Sequence, residues 1–127
     1  MMNHIVVIGR LTGNPVARQT RNGDPVCSFS VACERNYRSQ DGSRPVDYID
    51  VVAYRATADF ANKYLEKGRM VAVEGRLQIR DWTGNDGIKR RNAEIQASSI
   101  SLADSRPRQE QDRQPAGSRA PAPEYAA

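Results

Sequence analysis

The chain has 127 residues, 39% hydrophobic and 27% charged, with a formal net charge of +4. That is enough apolar material for one modest core plus a tail, and the positive balance favours a polyanionic partner. No stretch approaches the ~20 apolar residues that a membrane-spanning helix needs, and the opening MMNHIVVIGRL lacks the basic lead-in of a signal peptide, so a reducing cytoplasm is expected.

The first strand is predicted from His4 to Leu11. Ile5, Val7 and Leu11 fall on one face, Val6 and Ile8 on the other. A strand apolar on both faces in so small a protein predicts a partner subunit over one of them, with Val6 and Ile8 as the contact. A shorter strand-like piece, Val16 to Thr20, runs into Arg21-Asn22-Gly23-Asp24-Pro25. Its Asn-Gly pair tolerates positive φ and marks a hairpin. The second full strand, Val26 to Glu34, sets Cys27, Phe29, Val31 and Cys33 one way and Ser28, Ser30 and Glu34 the other. Cys27 and Cys33 would stand ~20 Å apart on it, too far for a disulfide. The one histidine, His4, is remote in sequence, so neither a metal nor a cofactor is expected and the thiols belong to the core.

A polar loop from Asn36 to Pro45 leads to the third strand, Val46 to Tyr54. Ile49, Val51 and Ala53 share one face; Tyr48, Asp50, Val52 and Tyr54 share the other. The period then turns helical from Thr57 to Gly68, with Phe60, Ala61, Tyr64 and Leu65 as an apolar stripe. Asp59 and Lys67 suit the helix dipole, and Gly68 is a natural stop. The fourth strand, Met70 to Trp82, predicts Val71, Val73, Leu77 and Ile79 inward, and Glu74, Arg76, Gln78, Arg80 and Trp82 outward. After a turn over Thr83-Gly84-Asn85-Asp86-Gly87, the fifth strand, Lys89 to Leu102, turns Ala93, Ile95 and Ala97 inward. From Asp104 the chain is rich in Pro, Ala, Arg and Gln, with four Arg against four acids. Such a segment cannot bury enough surface to order itself, so 104–127 is predicted as a disordered tail and 1–103 as the domain that carries the net charge.

Five strands with one helix between the third and fourth is the order of an OB-fold, an all-β, five-stranded, partly open Greek-key barrel. The first hairpin and the loops after strands two and four would form the lips of its groove. Arg76, Arg80 and Trp82 share the outward side of strand four, as Tyr48 and Tyr54 share that of strand three, and Arg35-Asn36-Tyr37-Arg38 opens the loop after strand two. Aromatic plates beside cations are what unpaired nucleic acid needs, since bases stack on rings and phosphates meet Arg and Lys. The structural alternatives are that Trp82 packs over a barrel end, that the tyrosines lie under a loop or at an oligomer contact, and that Lys89-Arg90-Arg91 is a solvated edge. No phosphate-binding glycine loop or nucleophile–base pairing stands out, so no catalysis is expected.

Asn3-His4-Ile5-Val6-Val7-Ile8-Gly9-Arg10-Leu11 with Asn14-Pro15 resembles the opening of bacterial single-stranded DNA-binding proteins. Val26-Cys27-Ser28-Phe29-Ser30-Val31-Ala32, Tyr48-Ile49-Asp50-Val51-Val52-Ala53-Tyr54, Tyr64-Leu65-Glu66-Lys67-Gly68, Val73-Glu74-Gly75-Arg76-Leu77 and Arg80-Asp81-Trp82 are similar to later segments of that family, in the same order. The resemblance implies an OB-fold homotetramer that binds and protects single-stranded DNA in replication, recombination or repair, in the cytoplasm with the nucleoid. It implies base-stacking roles for Tyr37, Tyr48, Tyr54 and Trp82, and places Arg18, Arg38, Lys67 and Arg80 on basic positions along the DNA path. Arg35 and Arg76 join them by position and strand parity. The family's main members end in an acidic tip that recruits replication and repair enzymes; this chain ends Pro-Glu-Tyr-Ala-Ala, so such recruitment is not expected. A specialised paralogue, a mobile-element copy or a truncated chain would each account for that ending. Asp50 on the tyrosine face would repel phosphate unless an arginine pairs with it. The competing readings are an OB-fold docking module of a primosome-type assembly and an RNA-binding protein, since stacking and charge alone do not register the sugar hydroxyl.

Overall fold

The computed structural model describes residues 1–104; the predicted tail, Asp104 excepted, lies outside the described residues. Six strands and one helix follow in the order β1 (Ile5–Leu11), β2 (Val16–Gln19), β3 (Pro25–Glu34), β4 (Val46–Tyr54), α1 (Arg55–Tyr64), β5 (Met70–Thr83) and β6 (Lys89–Leu102). The extra strand is the short predicted piece, which pairs with β3 across the Asn22-Gly23 turn, where Gly23 has φ +87°. The sheet order is β1-β5-β6-β4-β3-β2, and β1 also pairs with β3 through Arg10↔Ala32 and Leu11↔Val31, which closes the barrel. Only β4 and β6 run parallel. This is the predicted barrel, with α1 between its third and fourth full strands.

The core follows the alternation read from the sequence. Cys27, Phe29, Val31, Val51, Ala53, Val71, Val73 and Ile95 are buried inside the barrel, and Ala58, Ala61 and Leu65 join them from α1 and the residue that ends it. Removing a large aliphatic side chain from water contributes about 1.5–3 kcal/mol each. Cys27 is among the most buried of these, and burial pushes its thiol up to about 11, as suits a packing residue. Both cysteines are free.

Three expectations fail. The helix begins two residues early and stops at Tyr64, so Gly68 (φ +89°) shapes the following turn and does not end the helix. Tyr64 is exposed, with its ring 5.1 Å from that of Phe60 and 5.4 Å from the Lys63 ammonium. Leu77, Ile79 and Ala93 have inward parity yet are exposed. β5 pairs with β1 only as far as Gly75, and β6 pairs with β4 only from Glu94 to Gln96, so Leu77 has lost its β1 neighbour and Ile79 and Ala93 lie on a two-stranded ribbon with no further strand beside it.

Ile100 is buried although it has the opposite parity to Ile95. Gly75 pairs with Ala97 but Glu74 with Ser99, which leaves Ser98 as an unpaired bulge residue that reverses the alternation. The fold also reaches one residue further than expected. Asp104 accepts hydrogen bonds from Arg69 Nε (3.1 Å) and the Met70 N–H (3.1 Å), and Arg69 is buried.

Candidate nucleic-acid interface

The pleat of β4 sets Tyr48, Asp50, Val52 and Tyr54 on the outside of the barrel, and the pleat of β5 does the same for Arg76, Gln78, Arg80 and Trp82. All four candidate rings are solvent-accessible: Tyr37 55%, Tyr48 71%, Tyr54 41% and Trp82 41% exposed. Val52 is the exception on this face. It is buried, as the floor of a groove of about 510 Å³ that Tyr54, Arg18, Arg80, Asp50 and Glu94 border. Arg76 faces outward in the same row, since Arg76 pairs with Gln96 and Gln96 with Val52.

The rings do not share one trough. Tyr48 borders a second groove, of about 570 Å³, with Ile8, Arg10, Asn36 and Arg44. Tyr37, in the loop after β3, accepts a hydrogen bond from Arg35 Nη1 at 2.9 Å. Trp82 stands out on the ribbon beside Lys89, Arg90 and Arg91. With the Asn92 amide oxygen turned toward it, the Trp82 indole N–H donates to that oxygen at 3.2 Å.

The cations differ in how far they are already committed. Arg35 is occupied: it holds Asp47 through Nε and Nη2, at 3.1 and 2.8 Å, and so positions Tyr37. That guanidinium keeps the Asp47 carboxyl below the usual carboxylate range. Arg80 pairs with Glu94 at 2.9 Å, Arg18 donates to the Ser28 hydroxyl at 2.7 Å, and Arg38 donates to the Gly42 carbonyl at 2.9 Å. Lys67 donates its backbone N–H to Asn14 Oδ1 at 2.9 Å, and Asn14 lines the Tyr54 groove. Asp50 accepts a hydrogen bond from the Ser30 hydroxyl at 2.7 Å. Arg10 and Arg44 were not marked by the sequence pattern, and Arg90 stood there only in a charge run read as a solvated edge. Arg10 could have been, since it follows Ile8 on the same face of β1; Arg44 and Arg90 depend on loop and hairpin geometry.

Comparison with known proteins decides the relationship. Residues 2–103 match the single-strand binding protein family. The chain belongs to that family. It is 42% identical over 100 residues to the single-stranded DNA-binding protein of Caldanaerobacter subterraneus subsp. tengcongensis, covering 79% of this chain and 67% of that one. It is 39% identical over 106 residues to the protein of the same description from Bacillus cereus, covering 84% and 62%. The chain thus spans about two thirds of the length of these curated relatives. A solved Plasmodium falciparum SSB in complex with ssDNA matches with a TM-score of 0.73 at 32% identity, over 82% of this chain and 96% of that one. Within this single-strand binding protein, no helix among the described residues is long and apolar enough to cross a membrane.

Proposed function

We propose that this chain binds single-stranded DNA without sequence preference and holds it by stacking and charge, with no catalytic step. The observation that carries this reading is that Tyr54 and Trp82, with Arg18, Arg76 and Arg80, are all solvent-exposed, with Tyr54 standing on the face of β4 opposite the buried Val51 and Ala53. A ring in that position can take a base face, at about 1–3 kcal/mol per stacked base. Tyr48, Tyr37, Arg38 and Lys67 extend the path along the barrel, and Arg35 acts by fixing Tyr37. The four Arg and four acids of 104–127 leave the phosphate-binding charge to residues 1–103.

Self-assembly is part of the same reading. Ile5 to Gly9 of β1 pair on one side only, with β5, and Val6 and Ile8 project from that edge 57% and 58% exposed. An unpaired strand edge with apolar side chains is a template for a second chain. A second copy across β1 would cover both residues, and the homotetramer implied by the family resemblance would be built on that contact.

Trp82 is the only tryptophan, so its fluorescence reports directly on the interface. Oligo-dT is expected to quench it strongly and duplex DNA little, with affinity falling as salt rises through counterion release. Trp82→Ala and Tyr54→Ala, followed by fluorescence anisotropy of labelled oligo-dT, should each weaken binding by about 1–3 kcal/mol at unchanged mass in light scattering. Emission that stays constant at saturating oligo-dT sinks the proposal. An equal response to oligo-U would make RNA an equally good ligand.

A further inference from the structure

The ribbon formed by β5 and β6 carries three arginine–acid pairs, one of which differs from the others. Arg80 pairs with Glu94 and Arg91 with Asp81, each at 2.9 Å. Arg90 pairs with Asp86 on the turn at 2.8 Å, and its guanidinium also lies 5.3 Å from the centroid of the Trp82 ring. Trp82 and Arg90 are cross-strand partners, so the pleat sets both on the outer face, at a separation where a guanidinium is attracted to an indole. Gly84 makes room for this: a Cβ there would run into Arg90 Nη1 and lie 2.9 Å from Asp86 Oδ1. Asp86 is anchored independently by the Ile88 N–H at 3.0 Å.

We propose that Arg90 is a further phosphate-contacting residue of the strand path, that Asp86 occupies its guanidinium in the free protein, and that a strand phosphate displaces Asp86 while Trp82 keeps the arginine beside the stacked base. This rests on the reading of Trp82 as a base-stacking ring. The exchange replaces one oxyanion by another, since carboxylate and phosphate oxygens fit the same guanidinium fork. At Asp86 it costs little: the two side chains are 47% and 41% exposed, so the released carboxylate is hydrated at once. The Arg80–Glu94 pair is poorly suited to it, because Glu94 is 14% exposed and would be left without a partner in a badly solvated place. Arg91 and Asp81 have the opposite parity to Trp82 and leave the ring's face to Arg90. Arg90 is thus the cation that can change partner without leaving the aromatic plate.

A double-mutant cycle tests this on the full chain. Oligo-dT affinity is measured over a range of salt for wild type, Asp86→Asn, Arg90→Ala and the double variant. Asp86→Asn should tighten binding about 2- to 5-fold at low salt. Arg90→Ala should weaken binding and reduce the steepness of log K against log salt by about 0.7. With Arg90 absent, the gain from Asp86→Asn should vanish. A gain that persists in full without Arg90 is the field effect of one deleted negative charge and overturns the exchange, as does the absence of any gain or an unchanged salt slope in Arg90→Ala. Quenching of wild-type Trp82 by oligo-dT separates the two levels. If it is absent, the stacking reading fails; if it is present and the cycle shows no coupling, the exchange alone fails.

Discussion

Gly75 sits where β5 loses β1 as its neighbour, and its lack of a side chain is structural. A Cβ there would run into the Gln96 carbonyl oxygen and lie 3.0 Å from the Ala97 Cα, both backbone atoms of the neighbouring strand. Neither can move without opening the ladder, so Gly75→Ala is expected to cost about 1–3 kcal/mol, read as a lower urea midpoint at unchanged m-value. An unshifted midpoint would mean that the two strands part without penalty. At this scale the sequence was a good guide to direction and a poor one to company. Strand alternation is local, so it put Tyr48, Tyr54, Arg76, Arg80 and Trp82 on the outside correctly. Which of them meet depends on pairing between distant segments. That is why Tyr48 lies with Arg10 and Arg44, apart from Tyr54, and why Asp50 bonds Ser30.

Among the elements, the strands were legible nearly to their ends, and the errors cluster where a strand loses its neighbours. The inward reading of Leu77, Ile79 and Ala93 assumed that a third strand continues beside β5 past Gly75; no pattern within β5 itself announces that β1 stops. Ile100 was hidden because one unpaired residue reverses the alternation. The end of β6 at Leu102 was read correctly, but Asp104, an acid read as tail, holds a buried arginine of the domain. Arg69 has Nη2 buried and without a partner among the described residues, so Asp104 supplies much of what offsets its desolvation. Partial burial pushes the Asp104 carboxyl up, but the Met70 N–H and the Arg69 guanidinium outweigh that and hold it below its usual value. A carboxyl depressed on folding stabilises the fold above its unfolded pKa, and that contribution is lost as pH falls through the folded value. Asp104→Asn should therefore lower stability at pH 7 by about 2–3 kcal/mol and flatten the acid limb of stability against pH, both read by denaturant titration. A variant with the wild-type acid limb would show that the pair contributes nothing.

For the molecule as a whole, the edge of β1 is where the proposed contact between copies lies. Ile8 faces away from the barrel interior, so Ile8→Asp should leave the monomer folded while placing a charge in the proposed contact between copies. Light scattering is expected to give a smaller assembly than wild type, with the same far-UV spectrum. An unchanged mass would mean that copies meet through another surface, and a wild-type monomer at micromolar concentration would remove the contact altogether. The same variant bears on binding, because Ile8 lines the groove of Tyr48. If assembly shapes that groove, oligo-dT affinity falls together with mass.

Ser98 is a surplus residue in β6. Taking it out would leave Ala97 facing in, Ser99 out and Ile100 in, so the pleat would become regular and the hydrophobic interior would keep its members. What would change is the bend that such an insertion imposes on β6, at the base from which the β5–β6 ribbon extends. Trp82 rides near the tip of that ribbon and Tyr54 on the body, so the reach between the two rings, and with it the length of strand that the proposed interface would span, is adjustable at a position that touches neither.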